Sequence, residues 1–223
     1  MPRNYHYRNQ GDGTFRDVTS ESGIAKADRT YSMTAAAAAF GNSGWSDIYV
    51  ASDSTPSLFL KNGRNGTFVE EGVQRGVALG DDGKEQAGMG IAVGNYNLDG
   101  KLDIFKTHIL DDTSVLYRND DDAGFSDVTT ASGIGVETRY SGWGTGFADF
   151  DNNGLVDLAV VTGSVYPEVE GQFPNYSLNT PRYLFRNLGD GKFEELIDEA
   201  GLGIAAAHCS RGCAFGDFQT MAT

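Results

Sequence analysis

The chain has 223 residues and a formal net charge of −14. That length suits one sizeable domain or a repeat array. The acidity disfavours nucleic acid and anionic membrane surfaces as partners and favours divalent cations, and no run approaches the ~18 apolar residues of a transmembrane helix.

Taken in chain order, the elements repeat. The opening Met1-Pro-Arg-Asn-Tyr-His is followed by no apolar core, so it does not read as a signal peptide. Tyr7-Arg8-Asn9, a Gly-rich turn and Gly13-Thr14-Phe15 then form the first copy of a tract. The tract returns as Leu60-Lys61-Asn62 with Phe68, Tyr117-Arg118-Asn119 with Phe125, and Phe185-Arg186-Asn187 with Phe193. A long fixed period signals a repeat architecture. With 30 Gly against 5 Pro, the punctuation reads as tight turns rather than disorder.

Short β-branched and aromatic runs fill the units, as in Asp47-Ile-Tyr-Val-Ala and Val156-Asp-Leu-Ala-Val-Val, bounded by Gly, Asn and Asp. Each full unit reads as four strands: a small-residue strand, an Asp-Ile-Phe strand, a Leu-Tyr-Arg-Asn strand and a Gly-x-Phe strand. Thr34 to Ala39 is rich in alanine, yet its register places it as a first strand, because propensity is a weak prior. Complete units span 34–73, 88–129 and 143–198, and residues 5–19 hold only the third and fourth strands. Arg211 to Phe218 reads as a lone first strand, after which Gln219 replaces the expected acidic loop.

The expected fold is therefore all-β: a β-propeller of four-stranded antiparallel blades in a single domain over 1–223, with repeats near 5–52, 57–108, 115–163 and 183–218. Three complete units would join a split blade, or form part of a larger ring. A homo-oligomer covering open blade edges is a further expectation.

The chemistry lies in the loops after the first strands. Asp149, Asp151 and Asn153 alternate so that they can converge on one ion; Gly154 permits the turn, Leu155 offers a carbonyl and Asp157 closes the site. Asn95, Asn97, Asp99, Lys101 through its carbonyl, and Asp103 repeat the pattern with fewer carboxylates, which predicts weaker binding. Oxygen ligands without thiolate or imidazole suit Ca²⁺, with Mg²⁺ the alternative, so two calcium ions are expected. The first unit keeps only Gly44 and Asp47 of the pattern, and Asp217 stands alone in the fourth; neither is expected to bind. Metal-free Asx turns are the competing explanation of both acidic loops.

Other candidates carry less pattern. His108, with Asp111 and Asp112 nearby, is the candidate catalytic base, and His208 is a lesser one. Cys209 and Cys213 would lie about 13 Å apart on a straight strand, too far for a disulfide, so free thiols acting as small core hydrophobes are expected. The long 163–181 segment brings Tyr166, Phe173 and Tyr176, aromatics able to stack on sugar rings.

Residues 93–104 (Val-Gly-Asn-Tyr-Asn-Leu-Asp-Gly-Lys-Leu-Asp-Ile) and 147–158 (Phe-Ala-Asp-Phe-Asp-Asn-Asn-Gly-Leu-Val-Asp-Leu) resemble FG-GAP (VCBS-type) repeats. The unit 116–134 is similar to that of the ASPIC/UnbV group, the bacterial relatives of cartilage acidic protein. The resemblance covers roughly 5–218 and implies calcium-bearing blades in a secreted or cell-surface protein. The functional expectation is a calcium-binding, adhesion-type module for carbohydrate or protein. The alternative is a calcium-dependent hydrolase of lactones or esters; no Gly-x-Ser-x-Gly, His-Glu-x-x-His or phosphate loop is present.

Overall fold

A computed structural model describes the chain except residues 42, 137, 167, 169, 171, 173–176, 197–198 and 217–223. Three sequential antiparallel meanders form three four-stranded sheets. Blade 1 holds β3 (Ser32–Ala38), β4 (Asp47–Ser52), β5 (Leu58–Asn62) and β6 (Phe68–Glu70). Blade 2 holds β7 (Gly88–Gly94), β8 (Asp103–His108), β9 (Val115–Asn119) and β10 (Phe125–Asp127). Blade 3 holds β11 (Gly142–Ala148), β12 (Asp157–Thr162), β13 (Tyr183–Gly189) and β14 (Lys192–Glu195). The hairpin β1 (Tyr7–Asn9) and β2 (Phe15–Asp17) precedes them as a two-stranded sheet. The sheets fall on the units 34–73, 88–129 and 143–198, and the chain is all-β with propeller-type blades.

The alanine tract is a strand. Ala36 pairs with Tyr49 and Ala37 with Ile48 in the β3–β4 ladder; the ladder satisfies the backbone and overrides helix preference. Small residues also let first strands approach one another. A Cβ on Gly90 of β7 would lie 1.9 Å from the carbonyl oxygen of Trp143 on β11, so only glycine fits this crossing.

The core is built between blades rather than inside one. Tyr49 and Phe59 of blade 1 pack on Ile104, Val115, Tyr117 and Phe125 of blade 2. Phe105 and Leu116 use the other face of blade 2 to meet Leu158, Val160, Tyr183 and Phe185 of blade 3. A central strand such as β8 is buried along its whole length, polar residues included. Each buried large hydrophobe contributes about 1.5–3 kcal/mol. The outward face of blade 3 carries an apolar groove of about 450 Å³, lined among others by Phe150, Ala159, Leu184, Leu196 and Phe215.

Two expectations are corrected. Residues 211–216 are not a strand, and 217–218 lie outside the described residues. The segment runs along the inner strand of blade 3, where Gly144 N donates to the carbonyl of Arg211 at 2.9 Å, but it finds no continuous ladder. Cys209 and Cys213 are free thiols as expected, but Cys209 is exposed and so is not a core residue.

Candidate metal centre

The acidic loops of blades 2 and 3 share one backbone path. Leu98 and Gly100 take positive φ (59° and 84°), as do Asn152 and Gly154 (58° and 88°). Glycine adopts the second of these bends at no steric cost.

In the blade 3 loop, one carboxylate oxygen from each of Asp149, Asp151 and Asp157 lies within 4.8 Å of the others. Asp157 is buried, Asp149 half-buried and Asp151 exposed. Asn153 N donates to Asp149 Oδ1 (3.0 Å) and Gly154 N to Asp149 Oδ2 (2.9 Å). Leu155 N donates to Asn153 Oδ1 at 2.7 Å. Three converging carboxylates with no cationic side chain among them form an oxygen-only donor set for a hard cation.

In the blade 2 loop, Lys101 N donates to Asp99 Oδ1 (2.9 Å) and Asp99 N to Asn97 Oδ1 (3.2 Å). The Lys101 ammonium turns away to Asp121, 3.3 Å distant. Asn95 Oδ1 is buried without a hydrogen-bond partner among the described residues. Such an atom normally carries an uncompensated desolvation penalty, and a bound cation would relieve it. Both loops therefore fit calcium, the first through its carboxylates and the second through this orphaned amide oxygen.

The closing aspartates do more than face the loop. Asp103 Oδ1 accepts Asn119 N (2.8 Å) and Oδ2 accepts Tyr96 N (3.2 Å). Asp157 Oδ1 accepts Asn187 N (2.8 Å) and Oδ2 accepts Phe150 N (3.0 Å). Burial nevertheless pushes the Asp103 carboxyl up to about 7, against these two hydrogen bonds. In blade 1, Asp47 Oδ1 accepts Asn62 N, while the Lys61 ammonium sits 2.8 Å from Oδ2. A fixed cation thus stands at the closing aspartate of blade 1.

Sequence reasoning passed over the asparagine of the Arg-Asn tract. Asn119 Nδ2 donates to the carbonyls of Leu102 in its own blade and Phe40 in blade 1. Asn187 Nδ2 donates likewise to Val156 in its own blade and Tyr96 in blade 2. The recurrence of Asn at one place in every unit was the signal for this clamp.

The structure separates His108 from the acidic loops. Asp103 and His108 occupy opposite ends of β8, a strand of about 17 Å. His108 is buried, and its Nδ1 faces the carbonyl oxygen of Thr113 at 2.5 Å. Burial, then the neighbouring Lys106 charge, hold its imidazole well below the usual range. Asp111 takes a left-handed turn (φ 64°) in the loop beyond. His208 pairs through its backbone with Thr180. Tyr166 is exposed, while Phe173 and Tyr176 lie outside the described residues.

Blades of this kind, with acidic loops joining their first and second strands, are repeats of the β-propeller type. Residues 40–106 match the family model of the FG-GAP-like repeat. Over that span the chain is similar to FG-GAP-like repeats, and over part of its length it is similar to cartilage acidic protein 1. It is 35% identical to the Mus musculus protein and 34% to the Homo sapiens protein, each over 89 residues. Each alignment covers 40% of this chain but only 13% of the relative. A solved structure of an Agrocybe aegerita lectin, described for specific recognition of non-reducing terminal N-acetylglucosamine, gives a TM-score of 0.41 at 17% identity. That alignment covers 85% of this chain and 59% of the other. Among the described residues no helix is long and apolar enough to cross a membrane.

Proposed function

We propose that the chain is a calcium-binding segment of a β-propeller, acting outside the cell as an adhesion-type module for carbohydrate or protein. The observation that carries the calcium reading is the convergence of Asp149, Asp151 and Asp157. Asn153 and the carbonyl of Leu155 would complete that set, and Asn95, Asn97, Asp99, the carbonyl of Lys101 and Asp103 would hold a second ion. A divalent cation held there would neutralise the converging carboxylates. The protein side chains fix the first-to-second-strand loop against the third strand through the Asp157–Asn187 bond. The module reading follows from the repeats and from rigid blades that present loops at their ends.

Calcium titration by calorimetry tests the ion: two binding events are expected, and Asp151→Ala should remove the tighter one. No heat of binding at millimolar calcium would overturn the reading. Glycan and extracellular-protein arrays probed with calcium-loaded chain test the partner class. Capture abolished by chelator supports it, and a blank array from folded, loaded protein overturns it.

A further inference from the structure

The chain contains three Asn-Gly pairs: Asn62-Gly63, Asn65-Gly66 and Asn153-Gly154. Asparagine before glycine is the pair most open to cyclisation, since no side chain shields the glycine nitrogen. The hydrogen bonds on three groups decide whether a pair reacts: the glycine N–H, the asparagine Nδ2 and the asparagine Oδ1.

Two of the pairs are held. Gly63 N donates to the carbonyl of Thr67 (2.7 Å), and Asn62 Nδ2 to that of Ser46 (2.8 Å). Gly154 N donates to Asp149 Oδ2 (2.9 Å), and Asn153 Nδ2 to Asp151 Oδ2 (3.0 Å). These bonds must break before the glycine nitrogen attacks or the side-chain nitrogen leaves. The third pair lies in the turn between β5 and β6. There, neither Gly66 N nor Asn65 Nδ2 has a hydrogen-bond partner among the described residues. Asn65 is exposed, and a Cβ on Gly66 would meet nothing within 4 Å.

The carbonyl of the third pair is also activated. Asn65 Oδ1 accepts Thr67 Oγ1 at 2.6 Å and Thr67 N at 3.1 Å. Donors on a carbonyl oxygen draw charge from its carbon and stabilise the oxyanion formed on attack. The Oδ1 atoms of Asn62 and Asn153 accept the backbone N–H of Arg64 and of Leu155, with no hydroxyl donor among the described residues.

We propose that Asn65-Gly66 is a self-modifying site that deamidates in the folded chain. Gly66 N gives its proton to solvent base and attacks Asn65 Cγ. The Cγ–Nδ2 bond breaks, and the side-chain nitrogen takes up a proton from solvent and leaves as ammonia. Water then opens the five-membered imide at either carbonyl, giving aspartate or isoaspartate with no change of oxidation state. The fold already carries the turn of the aspartate product. In the β1–β2 hairpin Asp12-Gly13-Thr14 stands in the same place, and Asp12 Oδ1 accepts Thr14 N (2.9 Å) and Thr14 Oγ1 (2.6 Å). Gly13 and Gly66 share their bend, with φ of 88° and 84°. The aspartate form therefore keeps the hairpin, whereas isoaspartate adds a backbone carbon and upsets the spacing of the Gly63–Thr67 bond. The site stands independently of the calcium reading.

The test holds the intact folded chain in H₂¹⁸O at mildly alkaline pH and maps its peptides over time, each event leaving one heavy oxygen. Asn65 should gain label at least about tenfold faster than Asn62 or Asn153, because those pairs must first give up hydrogen bonds. Isoaspartate should accompany aspartate at position 65. Thr67→Val, which removes the hydroxyl donor, should slow Asn65 and leave Asn153 unchanged. Equal rates at the three pairs, label reaching Asn62 or Asn153 first, or label at Asn65 only after unfolding in urea overturns the proposal.

Discussion

Asn187 Nδ2 donates to the carbonyl of Tyr96 across 91 positions of the chain, at 2.8 Å. Tyr96 sits in the acidic loop of blade 2, and the backbone of Asn187 is held by Asp157 of the blade 3 loop. One asparagine therefore ties the two candidate calcium loops to each other.

Asn187→Ala should lower stability by about 2–4 kcal/mol, because it strands the buried carbonyls of Tyr96 and Val156. Urea unfolding measures it. A change under about 0.5 kcal/mol would show that water replaces the side chain at no penalty.

Calcium should stabilise the folded chain by about 2.7 kcal/mol at a hundredfold excess over Kd for each site. Thermal unfolding with calcium and with chelator reads the difference. Asp151→Asn should keep the unloaded stability, since Asp151 is exposed, and lose most of the calcium-dependent gain. An unchanged gain would place the ion elsewhere.

Lys106→Val should raise stability at pH 7 by roughly 2–3 kcal/mol. The folded-state value of Lys106 is depressed to about 8 from 10.5. Between those values the unfolded chain binds more proton, so wild-type stability rises with pH through that window. Below pH 8 the whole penalty of the buried charge is present. The advantage of valine should therefore shrink between pH 8 and 10.5. Denaturant midpoints at pH 7 and pH 10 test this, and a pH-independent difference would sink the account.

Gly90→Ala should destabilise by about 3 kcal/mol or more, since the new methyl meets a backbone carbonyl that cannot rotate away. Gly212→Ala, with open space around its Cβ, is the control. Equal midpoints for the two variants would mean that β7 and β11 separate freely.

The blades were readable because their punctuation repeats: Gly-x-Phe and Arg-Asn recur with the strands between them. Even the alanine tract of β3 yielded to register over propensity. The loops were readable because Asp149, Asp151 and Gly154 are local in sequence. The Asn187–Tyr96 bond was not readable, since no local pattern says which carbonyl a distant amide will find. Lys106 escaped notice because alternation along β8 assigns one face to solvent, whereas a strand between two neighbouring blades has no solvent face. His108 drew attention as a base for the ion, but the length of β8 carries it to the far end.

The same asparagine joint has a bearing on how such a chain can be assembled. Blade 2 brings both halves of a coupling: Asn119 reaches back to the Phe40 carbonyl of blade 1, and the Tyr96 carbonyl is offered to Asn187 of blade 3. A duplicated unit therefore arrives already compatible with its neighbour. Lengthening the array asks for no newly invented contact, only for another copy of Asp and Asn in phase.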